Sequence, residues 1–157
     1  MSALYRYKES SISDHFYTTN INEIGTSAIG LVGHHGYTSE GTQCLVYTRQ
    51  VAGSVPLYQY LNSDIDDHLY TTNSNEIGTI TPGVTGNHGY RSEGITGYCF
   101  PRALPGTIPL YRYWKESVDD HLYTTNSGEI GTTILGRVGR HGYVSEGVAC
   151  YVMAYRE

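Results

Sequence analysis

Several signatures of catalysis and metal binding are missing from the sequence. No CxxC or HxxxH spacing occurs, so no zinc motif is legible, and a nucleophile elbow GxSxG is absent. No apolar run approaches the ~20 residues of a membrane span, and the opening MSALYRYKES lacks the apolar core of a signal peptide. The chain therefore reads as soluble, without membrane insertion. An extracellular location would require a leader already removed or another export route. Basic residues are few: ten Lys and Arg, scattered singly, against fifteen Asp and Glu give a net charge of -5. That balance argues against a nucleic-acid backbone or an anionic membrane as partner. Phenylalanine and tryptophan are scarce too, at two and one, whereas tyrosine reaches sixteen and glycine nineteen. Tyrosine offers a flat apolar face and a hydroxyl at little entropic cost, which suits repeated shallow contact surfaces. It is also a good strand residue, and that reading carries equal weight.

What the sequence does contain is repetition. Leu4, Leu57 and Leu110 open LYRY, LYQY and LYRY; DHFYTTN at Asp14 returns as DHLYTTN at Asp67 and Asp120. Glu23, Glu76 and Glu129 follow, then HGY at His35, His88 and His141, then SEG at Ser39, Ser92 and Ser145. Every offset is 53 residues, which defines units 4–56, 57–109 and 110–157 within one domain spanning 1–157. Units of this size cannot bury their own apolar faces and need their neighbours. Three equal copies, with neither end resembling a cap, favour closure around a pseudo-threefold axis over an open stack.

Within each unit the pattern is β. LYRY alternates, with Tyr5 and Tyr7 on one face and Leu4 and Arg6 on the other. In HFYTT, Phe16 and Thr18 oppose His15, Tyr17 and Thr19; because Leu69 and Leu122 replace Phe16 in the other copies, its face is assigned to the core. A polar hairpin joins the two strands. NINEIG then predicts one short helical turn, with Asn20 and Glu23 as a capping box and Gly25 at the end. GLVGHHGYTSEG reads as a glycine-shaped loop leading into the most buried strand, TQCLVYTR. The joins VAGSVP and LPGTIP are too short for flexible tethers. The expected architecture is an all-β, pseudo-threefold domain of β-trefoil type, with a three-sheet β-prism as the alternative.

Cys44 and Cys150 are equivalent, while the middle unit has Gly97 there and Cys99 two places on. An odd number on apolar strands favours buried free thiols over a disulfide. SDIDDH, from Ser63, resembles part of a hard-cation loop, but only Asp14, Asp67 and Asp120 recur in all units, so a solvated acidic hairpin is preferred and no metal or cofactor is assigned. Catalysis is disfavoured because an active site breaks symmetry, and here every possible triad would be tripled.

The order LYRY, DHFYTT, a Glu-bearing turn, then an aromatic shortly before EG and an apolar strand, resembles a tandem-repeat family of unknown function, with modules YR(F/Y), HFYTT, E and YEG, often attached to secreted proteins of bacteria and fungi. In size and repeat layout the chain also resembles a feather-star type lectin that binds N-acetyllactosamine. The second resemblance implies galactose-containing glycans or glycoconjugates on cell surfaces as ligands, bound without catalysis at up to one site per repeat. The residues themselves agree with such sites. Each unit supplies acids, imidazoles and an aromatic face: Asp14, His15, Glu23, His35, Tyr37 and Glu40; Asp67, His68, Glu76, His88, Tyr90 and Glu93; Asp120, His121, Glu129, His141, Tyr143 and Glu146. Multivalent display compensates for weak individual contacts. Each member also has a structural reading: His15 and Tyr17 as a hydrogen-bonded layer under the hairpin, Glu23 as a cap, Glu40 as an acceptor for loop N–H groups. A structural or protein-binding repeat module without glycan affinity is thus the alternative function. HGY, in a loop whose neighbours vary between copies, is the strongest candidate to face a ligand.

Overall fold

In the computed structural model, which describes residues 1–156, three copies of one three-stranded antiparallel sheet surround a pseudo-threefold axis. The first unit contains β1 (Ser2–Glu9), β2 (Asp14–Thr18) and β3 (Thr38–Val46); the second β4 (Val55–Asn62), β5 (Asp67–Thr71) and β6 (Arg91–Cys99); the third β7 (Ile108–Lys115), β8 (Asp120–Thr124) and β9 (Val144–Val152). In each sheet the first strand lies in the middle, giving orders β2-β1-β3, β5-β4-β6 and β8-β7-β9. The fold is the all-β, three-unit arrangement of trefoil or prism kind that the repeat implied. Paired backbone at Leu45 and Met153, Tyr47 and Tyr98, and Phe100 and Tyr151 ties the far ends of β3, β6 and β9 into a ring. Among the described residues no helix is long and apolar enough to cross a membrane.

Both faces of β2 are buried, which differs from the single core face expected. Leu4 and Tyr17, with Cys44 and Val46, join their counterparts from the other units in one central cluster on the axis. Phe16 packs on the opposite face, with Tyr7, Ile24 and Tyr37, in a smaller cluster repeated in each unit. The short strand is inserted between two cores, so alternation could identify its faces but not that each was covered.

The axis explains why these positions are tyrosine. The Tyr17 hydroxyl donates to the Tyr123 carbonyl and accepts from the Tyr123 amide, both at 2.7 Å. Tyr70 does the same to Tyr17, and Tyr123 to Tyr70, closing a ring. The three rings pack edge to face at 5.3–5.4 Å. Each hydroxyl thus supplies the hydrogen bonds that a neighbouring strand would otherwise give. Tyr7, Tyr60 and Tyr113 likewise donate to the carbonyls of Thr26, Thr79 and Thr132. A phenylalanine would fill the same volume but leave buried backbone groups unpaired. Tyr70→Phe is therefore expected to cost about 2–4 kcal/mol. Thermal unfolding should register this as a fall of roughly 5–15 °C.

The three cysteines are free, buried thiols within the central cluster. A side chain at Gly97 would come within 2.9 Å of Val46 Cγ2 and 3.1 Å of the Tyr47 carbonyl. That crowding accounts for glycine at the position where the other units carry cysteine.

Three clefts between the units as the candidate site

The turn after β2 is built by the residues that were read as a cap, with one change. Asn20 accepts from the Asn22 amide, as an N-cap should, but Glu23 does not reach back to Asn20. Instead the Thr18 hydroxyl donates to Glu23 at 2.6 Å and accepts from the Asn20 amide, which turns the carboxylate outward. In the second and third units this turn is α1 (Ser74–Ile77) and α2 (Ser127–Ile130), each followed by a left-handed glycine, Gly78 and Gly131. The HGY loop is stitched to the turn: His34 donates to the Ile24 carbonyl and Gly33 to the Tyr37 carbonyl. A Cβ at Gly33 would lie 2.1 Å from the Ile24 oxygen, so no other residue fits there. The stitching sets Glu23 beside His35, and Glu76 and Glu129 beside His88 and His141.

His35, His88 and His141 all have φ of 61°, in the left-handed region, followed by a left-handed glycine. This conformation costs a non-glycine residue roughly 1–2 kcal/mol. All three imidazoles are exposed. β3 begins at Thr38, earlier than expected, and Ser39 and Glu40 belong to the strand; the left-handed Gly41 marks a register shift against β1.

The candidate residues of one unit divide between two clefts: Glu23, His35 and Tyr37 line one, His15 and Glu40 another. They meet those of the next, in three equivalent clefts of about 290, 430 and 440 Å³. The middle cleft takes Phe16, Glu23, His35 and Tyr37 from the first unit, and Gln59, Leu61, His68 and Glu93 from the second. The third cleft takes Leu69, Glu76, His88 and Tyr90 with Arg112, Trp114, His121 and Glu146. The first closes the circle, bringing Leu122, Glu129, His141 and Tyr143 against Lys8, His15 and Glu40. There are as many such clefts as repeats, and each is shared by two repeats.

Beneath the clefts lies a buried charge network. Asp14 accepts from the His68 amide at 3.0 Å, from His68 Nδ1 at 2.6 Å and from the Tyr37 hydroxyl at 2.6 Å. Asp67 serves His121 and Tyr90 in the same way, and Asp120 serves His15 and Tyr143. The three aspartates, almost wholly buried, have carboxylate oxygens within 4.8 Å of one another. Their neighbouring imidazoles balance them. Each His Nε2 faces a second carboxylate, Glu40, Glu93 or Glu146, at 3.2–3.5 Å. A neutral imidazole would turn a bare lone pair toward one of those acids, so the imidazolium is favoured. Burial opposes that charge, but Asp14 and Glu93 raise His68 to about 9. His15 and His121 are raised for the same reason, by Asp120 with Glu40 and by Asp67 with Glu146. Burial would raise Glu40, yet His15 and Arg6 hold it down to about 2. For Asp67 desolvation outweighs its hydrogen bonds and lifts its pKa.

Asp14, Asp67 and Asp120 therefore sit under the clefts, with their oxygens occupied by protein donors. A cation between them would compete with the three imidazolium groups. In the hairpin that resembled a cation loop, Asp64 and Asp66 are exposed while Asp67 points to the axis, so its acids do not gather. His15, His68 and His121 form each cleft's inner wall. Tyr37, Tyr90 and Tyr143 present ring surface while their hydroxyls are spent on aspartate. Glu23 and Glu40 and their counterparts, with the HGY histidines, are the polar groups that line the clefts.

Sequence reasoning missed the residues that tie the clefts. Arg6 holds Glu40 through Nε at 2.8 Å and Glu129 through both terminal nitrogens at 2.7 and 3.0 Å. Arg112 bridges Glu146 and Glu76 identically. Gln59 stands at this position in the middle cleft; it donates to Glu93 but bridges to no second glutamate, and its carbonyl oxygen accepts from the Thr96 hydroxyl. It also missed the wall position after LYRY or LYQY, which is Lys8, Leu61 or Trp114. The signal was present, since these are among the few places where the copies of this strand differ.

Residues 3–153 match the family described as domain of unknown function (DUF5648). No curated protein and no solved structure shows a significant match to the chain.

Proposed function

Because the chain belongs to the DUF5648 family over nearly its whole length, and that family has no assigned activity, we propose from the site itself that this is a noncatalytic carbohydrate-binding protein with three clefts for galactose or N-acetyllactosamine-type glycans. The observation that carries this reading is the left-handed, exposed histidine repeated at the mouth of every cleft. Backbone strain kept three times, where glycine would relieve it, points to a use for the imidazole. Around it each cleft offers two glutamates, a tyrosine face and an apolar floor, which suits the hydroxyl-rich edge and the apolar face of a pyranose. The third cleft adds Trp114, whose ring lies 4.4 Å from that of His121. The volumes suit a mono- or disaccharide. Three such clefts on one body would cross-link glycoconjugates and gain avidity.

The acids favour binding over hydrolysis. A glycosidase needs a carboxyl with a raised pKa to protonate the leaving group. Here Glu40, Glu76, Glu93, Glu129 and Glu146 are all lowered by arginine, histidine or glutamine partners, which suits acceptors for sugar hydroxyls.

Replacing His35, His88 and His141 together with glycine separates ligand binding from folding. Glycan binding is expected to fall at least tenfold, while stability holds or rises by up to about 1 kcal/mol per site as the φ strain is released. A glycan array with wild-type and triple variant reads the first, and urea unfolding the second. Wild type that binds no glycan at high density would leave only the structural-module reading, and retained binding in the variant would move the site elsewhere.

A further inference from the structure

The three clefts share their histidines, buried aspartates and tyrosines but differ in fixed charge. In the first cleft, Arg6 offsets the two glutamates, Glu40 and Glu129, and two further cations line the wall, Lys8 and Lys115. Lys8 stands beside His15 in the strand register, and the Lys115 ammonium lies 5.8 Å from the centre of the Tyr143 ring. Ser13 completes the rim where the other units have Asp66 and Asp119. Three cations thus face two carboxylates. In the middle cleft the corresponding positions are Gln59, Leu61, Glu9 and Asp66, together with Glu23 and Glu93. Glu9 lies at the rim against the HGY loop, its carboxylate carbon 3.6 Å from where a Cβ on Gly36 would stand, and both Glu9 and Asp66 act electrostatically on Tyr37. Four carboxylates gather there, opposed among described Lys and Arg side chains by Arg91, which acts on Glu93 from the strand beside Leu61. The third cleft has Arg112 against Glu76, Glu146 and Asp119, with Trp114 and Asn62 at the lysine positions.

We infer that the cleft between the third and first units selects a glycan bearing an anionic substituent, a sulfate ester or a carboxylate, and that the middle cleft rejects it. This inference rests on the carbohydrate-binding reading and sharpens it. The two lysines are not consumed by the glutamates, because Arg6 already bridges both, so their ammonium groups are free for a ligand anion at the mouth. In the middle cleft the same anion would meet an excess of carboxylates with no lysine or arginine bridging them as Arg6 does, and like-charge contact there works against it. The sites would then differ in ligand class while sharing one sugar-binding frame, so a single chain would bridge acidic and neutral glycans.

The repeat itself supplies the test residues, since each position already tolerates its counterpart. Titration calorimetry with lactose, sulfated lactose and sialylated lactose should show one cleft per wild-type chain binding at least one of the acidic sugars about tenfold more tightly than lactose at low salt, with the advantage shrinking as salt is added. Lys8→Leu with Lys115→Asn, which installs the residues of the middle unit, should remove that advantage, while lactose binding at the middle and third clefts, which contain neither lysine, persists. Leu61→Lys with Glu9→Lys should create a second acidic-sugar site in the middle cleft. Lactose binding with no gain from either acidic group overturns this inference and leaves the carbohydrate reading standing. An advantage that survives the double lysine substitution in a folded variant overturns it as well. Binding of none of the three sugars overturns both.

Discussion

Asp14→Ala is expected to destabilise the fold by about 3–5 kcal/mol, the range for removing one partner of a buried ion pair. The carboxylate is almost wholly buried and accepts from an imidazolium, an amide and a phenol. Its loss leaves the charge of His68 inside the protein and strands the Tyr37 hydroxyl. Because these partners come from two units, the damage falls on the join between them, and the middle cleft should loosen with it. Asp14→Asn keeps the volume and an acceptor and should cost less. Asp64→Ala, in the exposed hairpin of the next unit, should stay within about 0.5 kcal/mol. Urea unfolding midpoints for the three variants, at unchanged slope, measure the differences. Similar losses for Asp14→Ala and Asp64→Ala would mean that the axial network contributes little.

Raising the pH should weaken the protein through the same network. In the native state His68 keeps its proton up to about 9, whereas the unfolded chain releases it near 6.5. The stabilisation is therefore fully present below about pH 6.5 and is lost as pH rises through about 9. For His68 the difference amounts to about 3 kcal/mol. His15 and His121 shift in the same direction and add to the loss. At the acid end Glu40 works with the opposite sign: its contribution is complete above about 4.5 and disappears as pH falls toward about 2. Unfolding free energy followed from about pH 6 to about 10 should decline steadily, and a flat profile would mean that the imidazoles are neutral in the folded protein.

Much of the architecture was legible because repetition and alternation are local properties. The offset of 53 residues implied three equivalent units, and the period-two pattern of LYRY identified its strand. Cysteines on apolar strands read correctly as buried thiols. The tyrosine content was ambiguous for a physical reason. A hydroxyl able to serve a ligand is equally able to serve a buried backbone, and nine of the sixteen tyrosines are buried with the hydroxyl bonded inside the protein. Likewise Glu23 stands at the right distance in sequence from Asn20 for a capping box, and only the nearby Thr18 hydroxyl draws it outward.

By itself, then, the sequence determined the unit, its number and the chemical groups that each copy must place somewhere: two glutamates, two histidines, an aspartate and a tyrosine. Tertiary structure decided which of them meet. Asp14 pairs with His68 rather than His15, and Glu23 shares a cleft with Glu93 rather than Glu40. The reason is closure. A three-stranded sheet cannot cover its own short strand, so β2, β5 and β8 complete their hydrogen bonds and balance their charges across the axis with one another. Contacts made across that axis link residues 53 or more positions apart, and no local pattern in the chain records them.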